Sequence, residues 1–230
     1  NTVVEIQAAA SATGEEVYNY TAERTFQAPI AHTGFNVDYI GQAPSGNSTV
    51  ATFNASAGTP IMIDMLAGEG ATSAVTLSLM GAADVTSVTG DSKVIVLTKS
   101  GTYTIQATNT TGGLRPYAFR LLDLAVAPLL GDNEILNSSV ASGKTLVRRI
   151  EGEIGDTMLF DTSFSLTNYN ASMRIVTDDS DAYIGELNGA YSTYQFAATK
   201  THYLVMEPYL TDSTPITLQT RLFSTAPTLP

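Results

Sequence analysis

Two histidines, no cysteine and 22 carboxylates bound the chemistry open to this chain of 230 residues. A serine nucleophile would need His32 or His202 as its base. Neither lies near a Gly-x-Ser-x-Gly elbow, the sharp strand-to-helix turn that exposes such a serine. His202 opens a strand pattern, where an ordinary half-exposed residue is expected. Without cysteine there is no thiol nucleophile, zinc–thiolate site or disulfide. Two carboxylates hydrolyse a glycoside only when they flank the same bond. Asp64 and Asp161 instead hold equivalent places in two halves of the chain. A structural role is expected for both, the carboxylate accepting backbone N–H groups in a strand-end turn. No catalytic residue and no organic cofactor is expected, and the chain does not read as an enzyme.

The best metal candidate is the run Asp178-Asp179-Ser180-Asp181. Calcium takes about six to eight oxygens, which clustered carboxylates and carbonyls in a loop can supply. The run lacks the glycine and terminal glutamate of an EF-hand loop, so a solvated turn is the competing expectation. Asp132-Asn133-Glu134 is a second, thinner acidic cluster. Asn-x-Ser/Thr sequons begin at Asn19, Asn47, Asn54, Asn109, Asn137 and Asn170. These are glycan acceptors only where the export route glycosylates. Tyrosines pair an apolar body with a hydroxyl tip and suit sugar surfaces. Tyr103, Tyr117 and Tyr203 sit at core-pattern positions, which leaves Tyr183, Tyr191, Tyr194 and Tyr209 for a surface.

The elements that must position these residues come in two copies. Ala57-Gly58-Thr59-Pro60-Ile61-Met62-Ile63-Asp64 returns as Ile154-Gly155-Asp156-Thr157-Met158-Leu159-Phe160-Asp161. Ser100-Gly101-Thr102-Tyr103-Thr104-Ile105 returns as Lys200-Thr201-His202-Tyr203-Leu204-Val205. The segment from Tyr117 to Leu122, closing at Ala127-Pro128, returns from Ile216 to Arg221, closing at Ala226-Pro227. The three blocks keep their order at offsets of 97, 100 and 99. A repeat of this length is a whole domain that can bury its own core.

Within each copy, strands dominate. Thr49–Phe53, Ile61–Met65, Val75–Met80, Lys93–Thr98, Thr102–Ala107 and Tyr117–Leu122 are rich in β-branched and aromatic residues. Leu146–Glu151, Thr157–Asp161, Ala171–Val176, Ala182–Glu186, Thr193–Ala197, His202–Glu207 and Ile216–Leu222 follow in the second copy. Polar and glycine-rich stretches separate them. Gly58 and Gly155 are placed for tight turns that need positive φ. Only Glu15–Phe26 approaches a helical pattern. The expected fold is all-β, two tandem antiparallel jelly-roll-like sandwiches. Residues 1–34 form an N-terminal strand and linker segment, 35–127 the first domain and 128–230 the second. The exit prolines place the linker at Val126–Gly131.

These blocks resemble the bacterial pre-peptidase C-terminal domain and its relatives. In the first copy the likeness is carried by Gly58, Ile61, Ile63, Asp64, Gly101, Tyr103, Ile105, Tyr117, Phe119, Leu121 and Leu122. In the second it is carried by Gly155, Met158, Phe160, Asp161, Tyr203, Val205 and Leu218. The second copy departs at Thr201 and has no aromatic at Ile216. The resemblance implies jelly-roll-like modules repeated in secreted and surface proteins. It also implies an accessory role, binding polymers, calcium or neighbouring domains.

The formal net charge of −11 with no basic cluster argues against nucleic acid, whose phosphates need several Lys or Arg contacts. No apolar run reaches the length of a membrane-spanning helix, so membrane insertion is not expected. Absent cysteine and a Thr, Ser, Asn and Tyr-rich composition fit a secreted or cell-surface setting. The expected function is structural, a segment or subunit of a repeat array or filament. Its partners would be copies of itself or neighbouring repeat domains. Val3, Val4 and Ile6 head an opening segment, residues 1–12, that resembles the final strand of each copy and could donate a strand to a neighbour. The alternative is a polysaccharide-binding accessory module of a secreted hydrolase.

Overall fold

The computed structural model describes residues 34–66, 75–81, 84–88, 94–140, 144–162, 171–178, 180–187, 191–208 and 214–224. Val3, Val4, Ile6, Asn19, His32, Asn170, Asp179, Tyr209 and the Glu15–Phe26 segment lie outside them. The described residues form sixteen strands and one short 3-10 turn, Leu124–Val126. In the first half the strands are β1 Asp38–Ala43, β2 Gly46–Ala55, β3 Pro60–Met65 and β4 Val75–Gly81. Then come β5 Asp84–Val88, β6 Val94–Val96, β7 Gly101–Asn109 and β8 Arg115–Asp123. The second half has β9 Ile135–Val140, β10 Leu146–Ile150, β11 Thr157–Asp161 and β12 Ala171–Val176. It closes with β13 Asp181–Glu186, β14 Tyr191–Gln195, β15 His202–Pro208 and β16 Thr214–Phe223.

Two four-stranded sheets serve the first half, in the orders β1-β8-β3-β6 and β2-β7-β4-β5. The second half repeats both orders eight strands later, as β14-β11-β16-β9 read backwards and β10-β15-β12-β13. Interleaving the first and last strands of a unit in one sheet is the jelly-roll connection. Each pair of sheets encloses its own core. Tyr39, Phe53, Ile61, Ile63, Leu77, Ile105, Phe119 and Leu121 fill the first. Leu136, Ile150, Met158, Phe160, Met173, Ile175, Leu204, Met206 and Leu218 fill the second.

Local chemistry explains the turns. Gly58 and Gly155 take φ of 83° and 92°, the left-handed region predicted for them. The Gly58 N–H donates to Leu97 O and the Gly155 N–H to Phe196 O, so the same turn ties the same pair of neighbours in both halves. Glycines also sit under aromatic rings in directly paired positions, Gly41 beneath Tyr117 and Gly81 beneath Tyr103. Covering an unprotected strand glycine with a cross-strand ring restores the buried surface the glycine lacks.

Three strands have no counterpart in the pattern reading: β1, β5 and β9. Asp38–Ala43 and Ile135–Val140 dilute their few β-branched residues with Gly, Gln, Asn and Ser, and among the described strands they stand at the ends of their sheets. The linker expected at Val126–Gly131 is not free chain. Leu130 N–H donates to Arg149 O and Arg149 N–H to Pro128 O, and Leu130 is buried in the second core.

Candidate functional site

The clearest constellation of charged, polar and apolar groups lies in the seam between the two halves. The outer face of the β1-β8-β3-β6 sheet presents Met62, Val94 and Leu122, extended by Leu124 of the 3-10 turn. The outer face of the β10-β15-β12-β13 sheet presents Val147, Val176, Tyr203 and Val205. The eight form one buried cluster, separate from both sandwich cores. Strand alternation makes this possible, because β3 and β15 send alternate side chains into a core and into the seam.

One flank of the cluster is closed by an ion pair. Asp64, 1% exposed, accepts from Arg120 Nη2 at 2.7 Å. It also accepts from Thr145 Oγ1 at 2.6 Å and Thr145 N at 3.2 Å, both across the seam. Arg120 Nη2 donates to Thr145 O at 2.6 Å, while its Nε is buried without a partner. Lys144 reaches back across the same flank to Asp38. The Asp64 carboxylate and the Arg120 Nη2 thus exchange water for charged or hydrogen-bonded partners, the condition for burying such groups, and only the Arg120 Nε in this group goes without. This corrects the strand-end role expected for Asp64, whose partners come from a neighbouring strand and the other half of the molecule. Asp161 keeps the equivalent strand position, opposite Gln219 where Asp64 faces Arg120.

A shallow cleft of about 250 Å³ opens beside the ion pair, lined by Asn36, Arg120, Leu124, Pro128 and Thr145. A second, of about 180 Å³, lies among Gly58, Pro60, Val94, Asp178, Lys200 and Tyr203. Both fall below the range of small-molecule sites, about 300–1,000 Å³. They are rims of the seam.

The acidic run resolves into separate ion pairs. Asp178 accepts from Lys200 Nζ at 2.9 Å, and Asp181 from Arg174 Nη1 at 2.7 Å. Arg174 also holds Glu207, at 2.6 Å. No group of three metal-ligating side chains gathers among the described residues. The second acidic cluster serves the backbone: Glu134 accepts from Gly131 N and Asp132 from Leu222 N.

The sequons separate into two classes. Asn47, Asn54 and Asn137 stand exposed on strands, each accepting through Oδ1 from a cross-strand threonine: Thr108, Thr102 and Thr217. Asn109 is 1% exposed. Its Nδ2 donates to Ala43 O and Gly113 O, and its Oδ1 accepts from the Thr111 N–H and hydroxyl. The nitrogen a glycan would occupy is thus buried and fully used.

His202 corrects the expectation of a half-exposed residue. It is 1% exposed and meets the rings of Phe196 and Tyr194 edge-on at centroid distances of 4.8 Å and 5.6 Å. Its Nδ1 lies 2.8 Å from Lys200 O, which can only accept, so the proton is on Nδ1. Tyr194 is half buried in this cluster, leaving Tyr183 and Tyr191 on the surface. Burial pushes the phenol pKa of Tyr39, Tyr117 and Tyr203 above the usual value. At Tyr203 Arg149 opposes this and Asp123 adds to it.

No family model and no curated protein matches the chain. Among solved structures, the CUB1-EGF-CUB2 domain of human MASP-1/3 is similar over 80% of this chain and 100% of its own, at 10% identity and a TM-score of 0.28. A conserved protein of unknown function from Pseudomonas aeruginosa PAO1 is similar over 80% of this chain and 94% of its own, at 12% identity and a TM-score of 0.26. The CUB1-EGF-CUB2 domains of rat MASP-1 are similar over 83% and 100%, at 9% identity and a TM-score of 0.24. Likeness at that level carries no inference, so the jelly-roll assignment rests on the strand order.

Proposed function

We propose that this chain is a non-catalytic structural module of the cell surface or secreted milieu, a segment or subunit of a repeat array or filament. The observation that supports it best is the seam. Two independent sandwiches joined by a mobile linker would meet through a polar, wetted contact. Here eight apolar side chains and a hydrogen-bonded Asp64–Arg120–Thr145 group close the contact, so the pair moves as one stiff body. Stiffness between repeats is what a load-bearing or spacing module needs. The absence of cysteine, the net charge of −11 and the resemblance to pre-peptidase C-terminal modules agree with an extracellular setting.

The reading is tested by electron microscopy and sedimentation of the purified chain over a wide concentration range, with calcium and with chelator. Ordered polymers are expected. A chain that stays monomeric throughout and binds a glycan array instead would establish the second reading, a polysaccharide-binding accessory module. That alternative draws support from one feature, the half-exposed outer face of β2, β7 and β4, which carries Thr52, Thr76, Ser78, Thr104, Gln106 and Thr108 and no charge among its described side chains. Loss of glycan binding on Tyr191→Ala would place its site at the edge of the second sandwich instead.

A further inference from the structure

Four of the six sequons begin on described strands, and all four belong to the sheets that stay out of the seam. Asn47, Asn54 and Asn109 lie in β2-β7-β4-β5 and Asn137 in β14-β11-β16-β9. None begins on the described strands of β1-β8-β3-β6 or β10-β15-β12-β13, whose outer faces close the seam. We propose that Asn47, Asn54 and Asn137 are N-glycosylation sites whose glycans stand on these two outward sheet faces. The inference rests on the secreted or cell-surface setting proposed above and does not require polymerisation.

The backbone brings the first two sites to one side. Asn47 and Asn54 are seven residues apart, so a regular strand would send them to opposite faces. The ladder of β2 with β7 shifts between Thr49 and Ala51, and Val50 and Ala51 are both buried. That one extra residue returns Asn54 to the side of Asn47. Asn47 stands opposite Thr108 and Asn54 opposite Thr102, which alternate with the core residues Tyr103, Ile105 and Ala107. Asn137 stands opposite Thr217, which lies between the core residues Ile216 and Leu218.

Side-chain chemistry then separates the acceptors from Asn109. At Asn47, Asn54 and Asn137 the cross-strand threonine hydroxyl donates to Oδ1, at 2.9, 2.7 and 3.2 Å, and no described residue accepts from Nδ2. The hydroxyl residues that complete the three sequons, Thr49, Ser56 and Ser139, are exposed like their asparagines. Asn109 is buried and its Nδ2 is bonded twice. In the transfer, Nδ2 bonds to C1 of a sugar carried on a lipid diphosphate. The C1–O bond breaks, the lipid diphosphate leaves with the bonding pair, and one Nδ2 proton passes to the transferase. Between Asn47 and Asn54 the face offers the hydroxyls and amide of Thr52, Thr104 and Gln106 to the attached sugar. Among the described strands β2 and β9 end their sheets, so a bulky hydrated group there also hinders the addition of a further strand.

The test is secretion of the full chain from yeast behind a cleavable signal sequence. Enzymatic removal of N-glycans in heavy-oxygen water turns each glycosylated asparagine into labelled aspartate, which peptide mass spectrometry locates. Folded, secreted protein should carry sugar at Asn47, Asn54 and Asn137 and none at Asn109. Thr49→Ala, Ser56→Ala and Ser139→Ala keep the asparagine–threonine pairs, and each should lose the mass of one glycan; circular dichroism confirms that each folds. A bare Asn47, Asn54 or Asn137 would overturn the proposal at that position, and sugar on Asn109 in folded protein would overturn its physical basis. Electron microscopy of the same preparations keeps the readings apart. Polymers of sugar-free chain would refute the glycosylation sites alone, whereas glycosylated monomers at every concentration would refute the filament alone. Retention inside the cell even with all six sequons removed would count against the exported setting on which the sites depend.

Discussion

Replacing Asp64 by alanine is the sharpest perturbation of the seam. It removes an acceptor of three hydrogen bonds, from Arg120 Nη2 at 2.7 Å, Thr145 Oγ1 at 2.6 Å and Thr145 N at 3.2 Å. Arg120 keeps Thr145 O but loses its counter-charge, with Nε already unpartnered. Breaking a buried pair by deleting one member costs about 3–5 kcal/mol. Arg120 retains 17% exposure, so water can reach part of the orphaned guanidinium and the lower end applies, about 3 kcal/mol. Asp64→Asn keeps an acceptor for Thr145 and should lose about half as much, within the about 1.5–3 kcal/mol of a charged hydrogen bond. Asp64→Leu with Arg120→Met removes both charges and should fall within about 1 kcal/mol of the unmodified protein.

The assay is urea unfolding followed by circular dichroism and tyrosine fluorescence, the chain having no tryptophan. A urea slope of about 1–3 kcal/mol per molar turns the alanine loss into a midpoint shift of about 1–3 M. The unmodified chain should unfold in a single transition, because separating the halves exposes eight apolar side chains at once. Two well-separated transitions in the unmodified chain, or a loss below about 1 kcal/mol in Asp64→Ala, would refute the idea that the seam binds the halves into one body.

Four further outcomes are expected. Asn109→Ala leaves Ala43 O, Gly113 O and the Thr111 donors without their partner, and should cost about 2–3 kcal/mol by urea unfolding, about 1–3 for each orphaned buried group less what water recovers. In a glycosylating host, mass spectrometry should accordingly find Asn109 unmodified in folded protein. Tyr39, Tyr117 and Tyr203 have phenols raised by burial, so the unfolded chain ionises first as pH climbs through about 10. Their stabilising contribution is whole below that pH and is lost above it; stability should fall with a slope approaching one proton per tyrosine, and Tyr203→Phe should flatten it. Gly152→Ala drives a methyl into the Phe196 ring and should cost about 1–3 kcal/mol by thermal unfolding, as overpacking does, whereas Gly131→Ala, with only Glu134 nearby at 3.5 Å, should be close to neutral.

The residues themselves determined the duplication, most strands and the two glycine turns, because each is a local property: β-branched alternation, a polar break, a φ only glycine takes freely. Where local signal was thin, at the polar edge strands β1 and β9, the pattern was silent. The sequence alone could not decide which side of a strand faces which neighbour. Aligning Tyr103 with Tyr203 looks natural by residue type, yet Tyr103 points into its sandwich core and Tyr203 into the seam. The ladder register pairs Phe53 with Tyr103 and Ile150 with His202, which makes His202 the true counterpart of Tyr103 and explains its burial. A slip of one residue exchanges the two faces of a strand, and only the completed sheet settles it. The same holds for Asp64. Its carboxylate was visible, but the groups that hold it lie 56 and 81 residues away: Arg120 meets it when β3 pairs with β8, and Thr145 only once the two sandwiches close.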